Sequence, residues 1–458
     1  MSMRYKGAVI SATPPTTSTS AATGVWTLVQ QMQAQGAGTW PVVIGGTYWI
    51  GLLGSASDDD TAFSMAVDTS GNVYICGSSN RPGFTQKLAQ LVKYNSTGNL
   101  LWQKALYGVY DSAAYGISLD SSNNIYVGGY NRDTGNYDFQ IEKYNSSGTL
   151  QWQRTLSGGG DDICNKVAVD PSGNLYVCGI SSNNIQLAKY NTSGNVQWQK
   201  TLSNGFQSSA QSIATDASGN VYICGYGYLS GTQYGIIAKY DTSGAIQWQN
   251  IIGTSITNIG RAISVDSSGN IYTAGTSINS PYRYALIEKY NNSGTKQWSR
   301  QLIQLGSADG FSVSFDLSGN VYVVGQSYAS GANNLLYIAK YNSTGTIQWQ
   351  RTLGNTSSSQ NGYGSAVDLS GNIYVCGSSA ATGSNNFLFS KLPSDGSLTG
   401  TYSIAGYNFV YAAAGLTDAS STLTSSAASF SSASSSLTEA TSTFQEYTTN
   451  LTSSVTTL

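Results

Sequence analysis

The chain has 458 residues, enough for two or three ordinary domains or one large repeat array. Only 10% of them are charged and the net charge is −2, which argues against nucleic acid as a partner, because phosphate neutralisation needs clustered Lys and Arg. Histidine is absent, so the commonest general base and metal ligand are both missing, while 32 Tyr and 52 Gly give the composition of an all-β protein of short strands and tight turns.

In chain order, the opening MSMRYKGAVI lacks the apolar core of a signal peptide, and no apolar run is long enough for a membrane span. Residues 11–24, SATPPTTSTSAATG, carry too little apolar content to pack and read as a linker. A short helix is expected next, with Val25, Leu28, Val29 and Met32 on one face, Thr23 as N-cap and Gly36 as stop. Residues 1–45 therefore form a first segment outside the repeats that follow.

Two phrases then recur. The first, D-x-S-G-N-[VI]-Y, places its aspartate at Asp68, Asp120, Asp170, Asp216, Asp266, Asp316 and Asp368, at spacings of 46 to 52 residues. The second, K-Y-N-x-x-G-x-x-x-W, places Trp102, Trp152, Trp198, Trp248, Trp298 and Trp349 nine residues after Lys93, Lys143, Lys189, Lys239, Lys289 and Lys340. Residues 262–302 show the unit: AISVD, IYTAGTS, YALIEKY and TKQWSRQL are four strands, with DSSGN and NNSG as turns. Seven such copies of about fifty residues predict a seven-bladed β-propeller of four-stranded antiparallel blades over residues 46–410. The tryptophans are expected on the outermost strand, covering the blade edge and the neighbouring turn. Each repeated Lys, through Lys391, is expected to approach the turn Asp across the intervening strand.

The seventh copy has Gly400 where a tryptophan should stand, yet Trp49 lies 19 residues before Asp68, matching the 18 or 19 between every other tryptophan and the next aspartate. GTYWIGLLG is thus the expected outer strand of the last blade, with Tyr402 to Tyr411 as the rival. Cys76, Cys178, Cys224 and Cys376 share one position, filled elsewhere by Gly128, Ala274 and Val324, and so read as small buried residues.

The loops between second and third strands vary and fall at one end of the blades. Arg81, Arg132, Tyr228, Tyr282, Arg283 and Tyr328 on that face are candidates for glycan or protein contact. Acids gather before the inner strands, among them Asp60, Asp111, Asp162 and Asp309 at the expected channel mouth. Such acids can hold Ca²⁺ or cap loop backbone; with no D-x-D-x-D-G loop, capping is the expectation, and neither metal nor cofactor is assigned. No catalytic constellation emerges, so no enzyme is expected.

From residue 411 the chain is rich in Ser, Thr and Ala, but Leu416, Leu423, Phe430, Leu437, Phe444, Leu451 and Leu458 recur every seven residues. A seven-residue period does not keep one face of a strand, so residues 411–458 are predicted to form a heptad helix that assembles a coiled coil, most simply a homotrimer.

The phrase pair D-x-S-G-N-x-Y-x-x-G and K-Y-N-x-x-G-x-x-x-W resembles the SBBP-type β-propeller repeat of bacterial and phage proteins. Separately, GVWTLVQQMQAQGAGTWP, through Trp26, Leu28, Trp40 and Pro41, resembles an N-terminal segment of structural proteins of phages that infect marine bacteria. The second resemblance implies a non-enzymatic virion component, a fibre, spike or decoration protein. Its first forty or so residues would dock on other virion proteins, and its propeller would face a host-surface glycan or protein. A bacterial cell-surface adhesin is the alternative reading, and a propeller lyase or hydrolase using channel carboxylates a further one.

Overall fold

The computed structural model describes residues 48–420 apart from loop positions 55–58, 81–85, 108–109, 133–134, 204, 230, 254–256, 304–306, 329–332, 356 and 405. It also describes short strands within residues 4–22 and 425–457.

The D-x-S-G-N phrase builds its turn from a single carboxylate. Asp68 Oδ1 accepts the amides of Ser70 and Asn72, both at 2.9 Å, while Oδ2 accepts Asn72 Nδ2 at 2.8 Å and the Tyr74 hydroxyl at 3.1 Å. Gly71 completes the reversal at φ 79°, a region open to glycine at little cost. In the K-Y-N-x-x-G phrase Asn95 Oδ1 accepts the amides of Thr97 and Asn99 at 3.1 and 2.9 Å, so the same device closes the other constant turn. Four antiparallel strands result, Asp60–Val67, Val73–Asn80, Lys87–Tyr94 and Leu100–Tyr107, which we call blade A.

Blade B repeats the plan with Ser112–Leu119, Ile125–Arg132, Tyr137–Tyr144 and Leu150–Ser157. Blades C, D, E and F follow over residues 162–203, 208–252, 257–303 and 307–354. Blade G takes Gln360–Val367, Ile373–Ser379 and Asn386–Leu392 from its own repeat and its fourth strand, Trp49–Gly54, from the far side of blade A. Lys391 faces Trp49 in the register that joins Lys143 to Trp152, so the displaced strand is a true copy of the others. Ala62 and Met65 of blade A share a core with Tyr374, Cys376, Phe387 and Phe389 of blade G, so the blades close on themselves as a propeller. The rival segment has another use: Gly400–Ile404 and Tyr407–Ala413 form a hairpin on the outer edge of blade F.

Neighbouring blades are latched by the tryptophans and lysines. Trp152 Nε1 donates to Thr192 O at 3.2 Å, and its ring lies on Gly194 in the turn of blade C, where a Cβ would meet it at 2.8 Å. Lys143 Nζ donates to the same Thr192 carbonyl at 3.1 Å while sitting 4.9 Å from the Tyr126 ring centre. The expected Lys–Asp ion pair does not form among the described residues. The tyrosine of the intervening strand stands between the partners, giving its hydroxyl to the aspartate and its ring face to the lysine, as with Asp170, Tyr176 and Lys189. All five cysteines are buried free thiols.

The tail departs from expectation. Its described residues are strands rather than helix, and each pairs antiparallel with the outer strand of a blade. Tyr407–Ala413 lies on blade F, Thr417–Ser420 on E, Ser425–Ala427 on D, Ser431–Ser434 on C, Thr438–Ala440 on B, Gln445–Thr448 on A and Thr452–Thr457 on G. The residue two places after six of the repeat tryptophans shows the period: Arg351 pairs with Ala413, Arg300 with Ser420, Asn250 with Ala427, Lys200 with Ser434, Lys104 with Thr448 and Gly51 with Val455. Seven residues therefore measure one blade-to-blade step, and not two turns of a helix. Ser and Thr are mediocre helix formers, and open strand edges offer them unpaired backbone groups. Leu416 sits at the crossing from blade F to blade E, buried with Leu302, Tyr341 and Trp298. Leu423, Phe430, Leu437, Phe444, Leu451 and Leu458 lie outside the described residues.

Two compact units divide the chain, Met1–Gly46 and Thr47–Leu458. In the first, Arg4–Tyr5 pairs with Ala8–Val9, and Thr17–Ser18 with Ala21–Ala22, so part of the expected linker is a small hairpin. The helix expected at 25–36, with Trp26, Leu28, Trp40 and Pro41, lies outside the described residues.

One buried acid makes stability depend on pH. Glu142, 2% exposed on the third strand of blade B, accepts Gln140 Nε2 at 3.0 Å and the Tyr144 hydroxyl at 3.1 Å, and burial pushes its carboxyl up to about 7. The unfolded chain releases this proton near the ordinary value of about 4.3, the folded chain only near 7, so stability falls as pH rises through that window. Glu142→Gln should flatten the fall and make the protein more stable than wild type at pH 8 by about 3 kcal/mol, read by urea denaturation at pH 5 and pH 8.

Candidate functional site

The first strand of every blade carries a bulge, and the bulges build the site. In blade A the register slips between Ala62 and Ser64, leaving Phe63 unpaired. The same slip leaves out Tyr115, Asn165, Gln211, Arg261, Phe311 and Tyr363 in blades B to G. The glycine of the second strand permits it: a Cβ on Gly77 would lie 2.0 Å from Thr61 O, and one on Gly325 1.9 Å from Asp309 O.

These residues line a central channel of about 530 Å³, walled by the first strands of all the blades. They are not uniform around it. Tyr115, Phe63, Tyr363 and Phe311 make a continuous aromatic arc with successive ring centres 4.9, 5.9 and 5.3 Å apart. The Arg261 guanidinium lies 4.7 Å from the Phe311 ring centre at one end of the arc, and Gln211 and Asn165 fill the remaining sector. Just after the bulge the residues are small, except Lys166, whose Nζ crosses from blade C to donate to Ser64 Oγ of blade A at 2.7 Å. Burial lowers the pKa of both Lys166 and Arg261. Among the described residues the lining holds no carboxylate.

The acids expected at the channel mouth stand between blades instead. Asp60, Asp162 and Asp309 are fully buried. Asp111 Oδ1 accepts the Lys87 amide of the preceding blade at 2.9 Å, and Asp161 Oδ1 accepts the Tyr137 amide at 3.2 Å; Asp162 accepts the Gly158 amide, and burial raises its pKa. Backbone capping is the visible use of Asp111, Asp161 and Asp162.

Three of the residues singled out in the sequence meet. Arg283 donates Nη2 and Nε to Asp309 Oδ1 at 2.7 and 3.0 Å, Thr276 donates to the same oxygen at 2.6 Å, and Gln326 joins Asp309 to Tyr328. Arg261 Nε donates to Thr276 Oγ1 at 3.1 Å, so this cluster between blades E and F backs the channel arginine. Arg132 lies between the Tyr110 and Tyr137 rings on blade B, Tyr228 packs against Tyr226 on blade D, and Tyr282 is 45% exposed on blade E. The structure does not bring these three together, and Arg81 lies outside the described residues. The bulge residues were missed, although each stands five positions before a repeated aspartate and varies inside an otherwise constant phrase.

The SBBP beta-propeller repeat matches residues 49–84, 151–186, 247–283 and 297–331. The chain carries this propeller repeat. Among solved structures, Sqt1 from Chaetomium thermophilum is 11% identical, covering 75% of this chain and 97% of its own, with a TM-score of 0.44; a second Sqt1 structure is 10% identical, covering 74% and 98%, also at 0.44. YCF48 bound to D1 peptide is 12% identical, covering 75% of this chain and 95% of its own, with a TM-score of 0.47. No curated protein matches the chain. The propeller repeat thus rests on its own phrases, and the channel residues on this structure.

Proposed function

We propose that the chain is a seven-bladed, non-enzymatic binding propeller of a phage virion, presenting its channel and variable-loop end to a host-surface or virion ligand. The observation that supports binding is the contrast within one repeat: constant residues build turns, latches and glycine-backed bulges, while one varied residue per blade faces a shared channel. The virion assignment rests on the N-terminal resemblance carried by Trp26, Leu28, Trp40 and Pro41. Homotrimer formation was expected from the heptad helix; with the described tail strands paired to blade edges, a monomeric ring is the reading now favoured. Mass spectrometry of purified, nuclease-treated virions is expected to detect the chain at stoichiometric level. Its absence from particles, with the protein present on host cell envelopes, would return the adhesin reading.

A further inference from the structure

We infer that the channel binds a small anionic saccharide of the uronate class, held by the aromatic arc and by Arg261 and Lys166, which line the same cavity. This rests on the binding-propeller reading and names its ligand. A volume of about 530 Å³ suits one or two sugar rings rather than a polymer strand or a folded partner. Arg261 and Lys166 both enter this space, and the carboxylate that acts on Arg261 from behind, Asp309, is already held by Arg283. Two cations in a lining with no carboxylate call for an anion, and a guanidinium suits a carboxylate because it can donate two parallel hydrogen bonds.

The rest of the wall selects the body that carries the charge. Tyr115, Phe63, Tyr363 and Phe311 offer ring faces and edges to the C–H face of a pyranose. Opposite them Asn165 commits its amide nitrogen to Ser209 Oγ and Ala210 O at 3.1 and 2.8 Å, and Gln211 commits its own to Ser209 Oγ at 2.9 Å. Asn165 thus has its carbonyl oxygen left to accept from a sugar hydroxyl, and Gln211 keeps its carbonyl oxygen and one N–H. Ser312 and Ser365, 2.9 Å apart, add hydroxyls that donate or accept. A lining of aromatics, amide oxygens, hydroxyls and two cations matches a hydroxylated ring bearing a carboxylate better than an aliphatic acid or a bare ion.

Calorimetry on the full chain with glucuronate and galacturonate, and with glucose and sulfate as controls, tests this. A uronate should bind at least tenfold more tightly than glucose, and Arg261→Gln should weaken it at least tenfold with an unchanged melting temperature. Lys166→Met should act in the same direction, and Tyr363→Leu should weaken uronate but not sulfate. Equal affinity for uronate and glucose, or uronate binding indifferent to both cation variants, would overturn the assignment. So would sulfate binding as tightly as uronate, or no binding of either uronate. None of these outcomes touches the virion assignment, which the particle proteome decides separately.

Discussion

Deleting residues 1–54 destabilises the propeller severely, whereas deleting residues 1–46 leaves its melting temperature unchanged: that is the expected outcome of paired truncations followed by calorimetry. The difference lies in one strand. Trp49 is fully buried, with its ring centre 5.6 Å from that of Phe389 and 6.3 Å from that of Tyr374, and its Nε1 donates to Ser96 O of blade A at 3.3 Å. It is the latch of blade G, the counterpart of Trp152 on blade B. Losing a buried Trp side chain alone costs about 3–5 kcal/mol. The longer deletion also strips Asn386–Leu392 and Thr452–Thr457 of their shared partner. Trp49→Ala in the full chain should show about 3–5 kcal/mol by urea denaturation. Equal melting of the two truncations would mean that another segment replaces the strand.

Truncation after residue 413 should make the protein self-associate. The outer strands of blades A to E and G would each lose an antiparallel partner and expose a row of backbone donors and acceptors, the surface on which strands of other molecules add. Light scattering should therefore give a single-chain mass at full length and a rising mass with concentration for the truncated chain, together with a lower melting temperature. A full-length oligomer that dissociates on truncation would sink this reading and restore an assembling tail.

The blades were legible because their signals are local. An aspartate that caps its own turn, a glycine at positive φ and alternating strands leave the same print in every copy, and even the displaced Trp49 strand followed from spacing. The tail was misread because a period of seven has two meanings. Along a helix it is two turns; along a belt on a ring it is the distance from Arg300 to Asn250, which no local propensity encodes. The channel was missed for a related reason. Phe63, Tyr115 and Arg261 look like ordinary inner-strand residues until the bulge is known, and the bulge shows in the sequence only as the requirement for Gly77 and its counterparts. Asp111 and Asp162 accept loop amides, but the burial of such acids between blades depends on how neighbouring repeats meet.

The locked step between tail and blades also constrains how such a chain can change over evolutionary time. Ring and belt share one gearing: each fifty-residue tooth on the ring engages seven residues on the belt. A duplication that added a blade would leave its outer edge bare unless seven residues were gained in the tail. A single-residue deletion there, harmless by composition, would put every later strand out of mesh with its blade. Descendants of this architecture should therefore vary freely in loop length and in the residues facing the channel, while the tail changes length only in sevens, and only when the number of repeats changes with it.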